Sequence, residues 1–523
     1  MGLGVDDAIV VGAGPNGLVA ANRLADAGWS VLVIEQQPQI GGAVRHDTEV
    51  HPGFVHDTFS SFYPLAAASP TMRSLDLERW GLRWRHAPAV LGHCFEDGRW
   101  AIQDRDRGAT ADRFDAEYRG DGQAWLRLCE LWDRLGDDLV GAVFGPFPPV
   151  RRGLALAGRL PGAGGMEAVR LLSLPVTELA RSCFGGRGPA ALLAGNAAHA
   201  DIPLDAPGSG LMGLLMTMLG QTVGFPVPAG GAGELTQALA RRLEAAGGRI
   251  LCGTGVTAIE VDRRRVTGVR LADGSRLAAR RVLADVSAPA LYQRLLPPSC
   301  VPPRVRRAMA SFGWDPGTIK VDWAIDGGVP WAVAPATAPG TVHIADSVAE
   351  MSSAVAQVAA GVLPAAPFLL AGQMTTADPD RSPAGTESLW AYTHVPHRVR
   401  GDAGGELTGA WDAAELEGFA DRVQERIEAR APGFGERVLA RRILGPRELE
   451  ARDANLVGGA IGGGTQQLHQ QLIFRPVPGL GRPETCVRGL YLASSSAHPG
   501  GGVHGAPGDN AARAALARSR LDL

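Results

Sequence analysis

The sequence predicts an α/β fold in which a parallel sheet is flanked by helices and a second, α+β unit is inserted into it. Three observations carry this prediction. The chain opens with a strand, a helix and a second strand, and it closes with a strand, a glycine-rich loop and a helix. Between these ends, β-branched runs alternate with helical periodicity, as in proteins that mix sheets and helices. At roughly 100–200 residues per domain, 523 residues suffice for about three domain-sized units.

The N-terminal segment has the clearest pattern. Residues 8–12 form a short apolar run with β-branched side chains, residues 18–27 are rich in helix-favouring Ala and Leu, and Gly28 ends the helix. Residues 30–35 form a second apolar run. The order strand, helix, strand predicts a βαβ unit with parallel strands.

The rest of the chain supplies further elements. Helical patterns lie at 121–139, 234–246, 413–430 and about 510–519. Strand patterns, with a hairpin turn at 272–275, lie at 249–252, 256–261, 266–271, 281–285, 318–325 and 489–494. We therefore expect strands from distant parts of the chain to share a sheet.

Composition excludes several classes of protein. The net charge is −3 and the pI about 6.5, whereas a nucleic-acid-binding protein carries a strong basic excess, so none is predicted as a partner. Six cysteines form no CxxC pair, which gives no support for a zinc ribbon or a vicinal dithiol centre. Scattered free cysteines, and too little room for a presequence before residue 8, predict a cytoplasmic protein.

Three long stretches without charged residues lie at 206–233, 327–345 and 352–377. Gly or Pro interrupts each of them, so none reaches the ~20 consecutive apolar residues of a membrane span, and no transmembrane segment is predicted. We interpret the stretches first as buried or pocket-lining segments. Peripheral contact with a membrane is the second interpretation.

The glycine motif after the first strand predicts a Rossmann-type dinucleotide site. Its residues are Gly12, Gly14, Pro15, Asn16 and Gly17. Two further matches to the spacing, at 208–213 and 500–505, show that the pattern alone is weak, but only this one lies between a buried strand and a helix. Glycines there let the backbone approach a pyrophosphate at the positive end of the helix. Glu35, 23 residues after Gly12, is expected to accept hydrogen bonds from an adenosine ribose.

Two other segments favour FAD as the cofactor. Gly41, Gly42 and Ala43 follow the second strand, where a glycine pair lets the chain pass close beneath a dinucleotide. The C-terminal loop precedes a helix whose positive N-terminus favours negative charge on a reduced flavin. The loop comprises His498, Pro499, Gly500, Gly501, Gly502 and Val503.

These three motifs, in this order, resemble those of the flavin-dependent phytoene desaturase, carotenoid isomerase and retinol saturase superfamily. The closest resemblance is to the branch called pyridine nucleotide-disulfide oxidoreductase domain-containing protein 2. The segments that carry it are IVVGAGPNGLVAANRLADAGWSVLVIEQQPQIGGAV, PGFVHDTFSS, PVPAGGAGELTQALARRLEAAGGRILCGTGVTAIEV, QLIFRPVPGL and GLYLASSSAHPGGGVHGAPGDNAARAAL.

The resemblance implies a glutathione-reductase-like FAD-binding domain that is discontinuous, over 1–75, 226–300 and 450–523. A separate substrate-binding domain would then comprise 76–225 and 301–449. The resemblance also places the backbone of Val256 at the adenine, and His498 to Val503 beside the flavin and ribityl. The substrate region has no clear match, so the substrate itself does not carry over.

Two residues are candidates for catalysis. Lys320 is the only lysine beside 50 arginines, and it alternates with Ile319 and Val321 on a predicted strand. Because related flavin amine oxidases use a lysine to hold a water beside flavin N5, Lys320 is expected to position water or to stabilise charge there; a chance surface lysine is the alternative. His56 could act as a general base or flavin neighbour, or be part of a structural pair with Asp57. No metal site is expected.

We therefore expect an FAD-dependent oxidoreductase of desaturase or dehydrogenase type. It would move a hydride between a C–H bond of an apolar or amphipathic small molecule and flavin N5, with the cofactor supplying the difficult chemistry. The alternatives are a flavin amine oxidase, a flavin-dependent isomerase and a non-catalytic flavin-binding scaffold that acts through a protein partner. The oligomeric state stays open.

Overall fold

The computed structural model describes residues 5–521. The strands within this range, numbered in chain order, are β1 Asp6–Val11, β2 Val31–Ile34, β3 His46–Asp47, β4 His56–Asp57, β5 Trp84–Arg85, β6 Ala89–Cys94, β7 Trp100–Gln103, β8 Val227–Pro228, β9 Arg249–Leu251, β10 Val256–Asp262, β11 Arg265–Leu271, β12 Arg276–Ala284, β13 Gly317–Asp326, β14 Pro339–Ile344, β15 Val362–Leu363, β16 Leu369–Gln373, β17 Thr386–Val395, β18 Gly401–Asp402, β19 Val438–Leu444 and β20 Leu490–Leu492.

The α-helices pack around two large sheets. They are α1 Pro15–Asp26, α2 Pro64–Ala68, α3 Pro70–Arg73, α4 Arg107–Glu117, α5 Asp121–Phe144, α6 Val150–Arg159, α7 Met166–Ser173, α8 Val176–Cys183, α9 Arg187–Ala197, α10 Ser209–Thr222, α11 Gly233–Ala245, α12 Pro303–Ala310, α13 Val348–Ala360, α14 Met374–Ala377, α15 Ala413–Glu428, α16 Pro446–Arg452 and α17 Ala506–Leu521. No helix in residues 5–521 is long and apolar enough to cross a membrane.

The first sheet has seven strands in the order β10-β11-β12-β1-β2-β9, with β20 also paired to β12. Its centre is parallel, because β1 pairs in parallel with both β2 and β12, and β20 adds a parallel strand. β10, β11 and the start of β12 form an antiparallel meander. Buried side chains of α1, α11 and α17 pack on one face of the parallel strands. The predicted α/β class, with strands from both ends of the chain in one sheet, is confirmed.

The second sheet has the strand order β19-β13-β17-β16-β14-β6-β7. One face is largely apolar, with Ile319, Val321 and Trp323 of β13 packed in a cluster that includes Phe419 of α15. The other face differs in chemistry. Directly paired residues project to the same side of a sheet, and the row that crosses this side consists of Lys320, Tyr392, Leu370, His343 and His93.

Several elements begin or end at residues other than those predicted from the sequence. The last helix begins at Ala506 rather than near residue 510, because Pro507 fits the first turn of a helix, where its missing N–H is not needed. The helix predicted at 121–139 continues to Phe144. The predicted domain boundaries stay a prediction. The first sheet uses strands within 6–34, 249–284 and 490–492, and the second uses strands within 89–103 and 317–444.

Candidate functional site

One cavity of about 440 Å³ extends from the turn after β1 to the polar face of the second sheet. At one end, the dinucleotide end, its wall includes the glycine motif, Glu35 and the C-terminal loop. At the other end, the sheet end, it includes Lys320 and residues of α10. The volume is in the range of ligand sites, which span ~300–1,000 Å³.

The β1–α1 turn depends on glycine where backbones touch. Gly12 has φ +100°, and a Cβ there would lie 2.7 Å from the backbone oxygen of Asp285. A Cβ on Gly17 would lie 2.1 Å from the backbone oxygen of Gly12. Only glycine lets β1, α1 and the end of β12 approach this closely. Gly12, Gly14, Pro15 and Asn16 border the cavity, whereas Gly17 packs behind the turn.

Several backbone N–H groups of the cavity wall have no acceptor among the described residues. They belong to Gly14, Asn16, Gly42 and Ala43 at the dinucleotide end, and to Gly501, Gly502 and Val503 in the C-terminal loop. The side-chain oxygen of Asn16 is also buried without a partner. Backbone N–H groups that border a cavity and have no acceptor within the protein are free to donate to a ligand, and such a concentration fits an oxygen-rich ligand such as a dinucleotide.

Glu35 is held at the end of β2 by two backbone groups. The N–H of Ala13 donates to Oε2 at 2.8 Å, and the N–H of Gln37 donates to Oε1 at 2.9 Å. The carboxylate borders the cavity with lone pairs to spare. Val256 borders the same end, as the resemblance implied. This arrangement is suited to accepting hydrogen bonds from ribose hydroxyls.

Asp285, at the end of β12, is a site residue that sequence reasoning missed. Its Oδ2 accepts a hydrogen bond from the N–H of Gly17 at 2.8 Å, and the side chain borders the cavity. The pKa of Asp285 is raised to about 8, chiefly by burial; the hydrogen bond from Gly17 opposes the shift, and the neighbouring Asp453 and Glu35 add to it. The carboxyl is therefore mostly neutral at pH 7. Its position at the carboxyl end of a parallel strand next to β1 was the available signal.

The C-terminal loop lies beside a second glycine loop, 461–466, whose anchors the sequence did not reveal. Asp315 accepts hydrogen bonds from the N–H groups of Gly462 at 2.6 Å and Gly464 at 2.9 Å. Arg475 is fully buried and donates to the carbonyl oxygens of Thr465 and Ser495, each within 3 Å. A rigid guanidinium with several donors can thus fix both loops at the cavity wall.

The predicted loop residues divide into two groups. Gly501, Gly502 and Val503 border the cavity, but His498, Pro499 and Gly500 do not. The Nε2–H of His498 donates instead to the carbonyl oxygen of Gly145 at 3.1 Å, and burial lowers the pKa of this histidine to about 4. Gly41 also lies outside the cavity wall, whereas Gly42 and Ala43 belong to it.

Lys320 lies at the opposite end of the cavity and is 3% exposed, so the alternative of a surface lysine is wrong. Its ammonium donates to the backbone oxygen of Asp57 at 2.9 Å and pairs with the carboxylate of Asp322. Arg442 donates to the other oxygen of Asp322 at 2.8 Å. Burial lowers the pKa of Lys320, and Asp322 opposes this shift. An ammonium has three N–H groups, so one is left over.

His56 lies behind the cavity wall rather than in it. Its ring is fully buried, and Nε2–H donates to the backbone oxygen of Trp323 at 3.1 Å. Asp57 beside it pairs with the buried Arg381 at 2.9 Å. Burial lowers the pKa of His56, so the ring is neutral near pH 7. This placement favours a structural role for His56 over that of a general base, although His56 and Asp57 bond to different partners rather than to each other.

The remaining wall of the sheet end is apolar or aromatic. Met212, Met216 and Phe225 come from the predicted charge-free stretch 206–233. Trp390 and Tyr392 stack on each other with ring centroids 5.9 Å apart. A ligand between two rings needs about 3.5–4 Å on each side, so this pair leaves no room for an amine between them. The aromatic cage expected of an amine oxidase is therefore not formed by this pair.

His394 and His397 are the histidines with helix-like spacing, and neither is placed as a metal ligand in the part of the chain that the structure describes. His394 is buried, and Nε2 of His397 hydrogen-bonds to the backbone oxygen of Asp315 at 2.5 Å. Within residues 5–521, no group of three or more His, Cys, Asp or Glu side chains could hold a metal ion.

Comparison with known proteins agrees with this geometry. Residues 10–75 match the family model described as NAD(P)-binding Rossmann-like domain. The mouse pyridine nucleotide-disulfide oxidoreductase domain-containing protein 2 is 31% identical over 97% of this chain and 92% of its own length. The lycopene-forming phytoene desaturase of Paracoccus sp. is 27% identical over 56% of this chain and 55% of its own.

The fold also matches a solved structure over nearly its full length. A crystal structure of an oxidoreductase from Methanosarcina mazei superposes with a TM-score of 0.61 at 15% identity, covering 98% of this chain and 99% of that one. The fold and the relatives together define a Rossmann-type oxidoreductase. Within this class, the chain belongs to the family of pyridine nucleotide-disulfide oxidoreductase domain-containing protein 2, as the sequence motifs indicated.

Proposed function

We propose that this chain binds FAD and moves a hydride between a C–H bond of an apolar or amphipathic small molecule and flavin N5. The observation that carries the proposal is the continuity of the cavity. A single space joins the unpaired N–H groups of the glycine motif to an apolar end lined by α10 and the second sheet. A cofactor and a substrate can therefore meet in it.

The residues present fit FAD. Glu35 would receive the adenosine ribose, and the N–H groups of Gly14 and Asn16 would receive the pyrophosphate. The N–H groups of Gly501 to Val503, near the start of α17, would face the flavin, where the positive helix end favours negative charge. When bound, FAD would supply the hydride acceptor.

At the sheet end, the chain's own residues would orient the substrate and exclude water. Met212, Met216 and Phe225 offer an apolar wall that leaves few waters beside the reacting bond. The unused N–H of Lys320 would hold a water or stabilise developing negative charge. Asp322 and the oxygen of Asp57 restrict the ammonium to one position, which favours a fixed role.

The test of cofactor identity is the flavin content of the purified protein. We expect a yellow protein that releases about one FAD per chain in acid, because no cysteine or histidine stands in a recognisable flavin-linking context. Stoichiometric NADP without flavin would overturn the proposal. The amine oxidase alternative predicts peroxide release with amines, and the scaffold alternative predicts a flavin that no candidate substrate reduces.

NAD(P)H should be a poor reductant of this flavin. The glycines at 208–213 begin α10 and pack inside the fold, since a Cβ on Gly210 would lie 2.2 Å from the backbone oxygen of Leu174. They do not form a second strand–loop–helix site. Anaerobic stopped-flow mixing with NADPH should leave the flavin oxidised for seconds, and complete bleaching within milliseconds would contradict the expectation.

A further inference from the structure

His199 connects the cavity to the polar face of the second sheet. It lies between α9 and α10, borders the cavity, and places its Nε2 3.0 Å from Nε2 of His343 on β14. Beyond His343 on the same face lies His93, whose Nε2–H donates to the backbone oxygen of Ala345 at 2.8 Å. His343 and His93 are fully buried.

Both rings are neutral. One of the two Nε2 atoms must therefore carry a proton and donate it, and the other must be bare and accept it. Burial lowers the pKa of His199 to about 3, and that of His343 also lies well below its ordinary value. No carboxylate takes part in the pair. Each neutral imidazole carries a single proton, so the tautomer of one ring dictates the tautomer of the other.

The surroundings of His343 decide which of the two rings donates the hydrogen bond. Its Nδ1 is buried without a partner, and the Cβ position of Gly195 in α9 lies 2.2 Å from this nitrogen. In glycine a hydrogen takes that position, so Nδ1 faces a C–H group. A proton on Nδ1 would point at this hydrogen and have no acceptor, whereas a bare lone pair there makes a weak C–H contact. Unsatisfied buried N–H groups are also rarer than unsatisfied acceptors.

His343 therefore carries its proton on Nε2 and donates it to Nε2 of His199. The proton of His199 is then on Nδ1, which has no hydrogen-bond partner among the described residues. The ring that borders the cavity thus has a neutral, fixed N–H to offer a ligand.

We propose that His199, fixed by His343, is a substrate-recognition donor that selects an uncharged molecule bearing an oxygen acceptor, such as a ketone. This inference rests on the proposed role of the cavity as the substrate site. His343 is a positioning residue, since it acts only through His199.

The same wall supports an oxygen function without charge. The hydroxyls of Thr318 and Thr341 border the cavity and are buried without partners. The nearby charges balance, because Lys320 and Arg442 are paired with Asp322 and Asp47. A carboxylate ligand would upset this balance, whereas a carbonyl or hydroxyl would satisfy the unpaired groups.

The tautomers can be measured directly by NMR on the purified protein labelled with ¹⁵N in histidine. Ring nitrogen shifts separate the two neutral tautomers, and His199→Gln and His343→Gln assign the signals. We expect Nδ1–H for His199 and Nε2–H for His343. The exposed His469 supplies the control variant, His469→Gln, which should leave both signals in place. An Nε2–H tautomer at His199 would overturn the proposal.

Recognition can be measured with 4-phenylbutan-2-one and its hydrocarbon counterpart, butylbenzene, through tryptophan fluorescence. The ketone should bind about three- to tenfold more tightly, the size of one neutral hydrogen bond. His199→Phe should abolish this preference, and His199→Gln, which keeps an N–H donor, should retain part of it. The carbonyl infrared band of the bound ketone should lie at lower frequency in the wild type than in His199→Phe.

Three results would contradict the proposal: the preference persists in His199→Phe, neither compound binds, or 4-phenylbutanoate binds more tightly than the ketone. Neither measurement needs flavin. A protein without FAD that shows the expected tautomers and preference would refute the proposed function and leave this inference standing. A protein that contains FAD but has the reverse tautomers would refute this inference and leave the proposed function standing.

Discussion

The two ends of the cavity are assembled in different ways. The dinucleotide end draws its glycine motif and Glu35 from the single stretch 12–35, whereas the sheet end joins Lys320, His199 and Trp390 from widely separated segments. The first end works mainly through backbone N–H groups, and the second through side chains. Backbone-built sites leave a local sequence pattern because they require glycine at particular places; side-chain sites need only the correct strand face.

A large side chain at the dinucleotide end should have the largest effect, the loss of FAD binding. In Gly14→Leu, a Cβ would lie 2.8 Å from Oδ2 of Asp285, and the longer side chain would extend into the loop at the pyrophosphate position. We expect no FAD in the purified variant, measured by visible absorbance, with helix content retained by circular dichroism. Gly153→Leu is the matched control, since Gly153 is exposed and has no atom within 4 Å of its Cβ position. A yellow Gly14→Leu protein would refute the assignment.

Substitutions at the sheet end should leave FAD bound. Lys320→Met should keep FAD yet lose tenfold or more in flavin reduction or reoxidation rate, which corresponds to about 1.4 kcal/mol per tenfold. Arg442 still pairs with Asp322 in this variant, so folding should survive. Adding Asp322→Asn removes the carboxylate that has lost its lysine and should recover stability without recovering rate. Unchanged rates in Lys320→Met would exclude a role for the lysine.

The pH dependence of stability sharpens the comparison at the dinucleotide end. The pKa of Asp285 is raised to about 8 in the folded chain, against an ordinary value near 3.8. The folded state therefore holds a proton that the unfolded state has lost, and the free energy of unfolding falls as pH rises from about 4 to about 8.

We expect urea unfolding of the apoprotein to weaken over this range by up to about 1.4 kcal/mol per pH unit from this group. Asp285→Asn should flatten the profile while its amide oxygen still accepts from the N–H of Gly17. An identical slope in the wild type and the variant would show that Asp285 titrates normally.

The smallest expected effect concerns the positioning of His199 by His343 at the sheet end. Gly195→Ala places a methyl group 2.2 Å from Nδ1 of His343, so the ring must move away from His199. Alanine is otherwise favoured in a helix by about 1 kcal/mol over glycine. We expect near-normal thermal stability with a several-fold weaker ketone preference. Gly158→Ala in α6 meets nothing within 4 Å and is the helical control. An unchanged preference would mean that His343 does not position His199.

The sequence by itself determined the local elements and the glycine loop after β1. Alternation on β13, the βαβ unit and the hairpin before β12 follow from short-range preferences of the backbone and from the period of apolar residues. The glycines of the first turn were readable because a requirement for close backbone approach leaves no other residue possible. The class of fold and the family followed from these patterns, and both are confirmed.

Only the tertiary structure decided which of these residues meet. Asp285, Asp315 and Arg475 carry no local pattern, because their partners come from distant segments. The same holds for His199 and His343, which are 144 residues apart. His199 follows α9, and α9 packs on β6 and β7 beside β14, so the contact depends on how this helix lies on the second sheet. Alternation assigns a residue to one face of its own strand, but strand pairing across the whole chain determines what that face confronts.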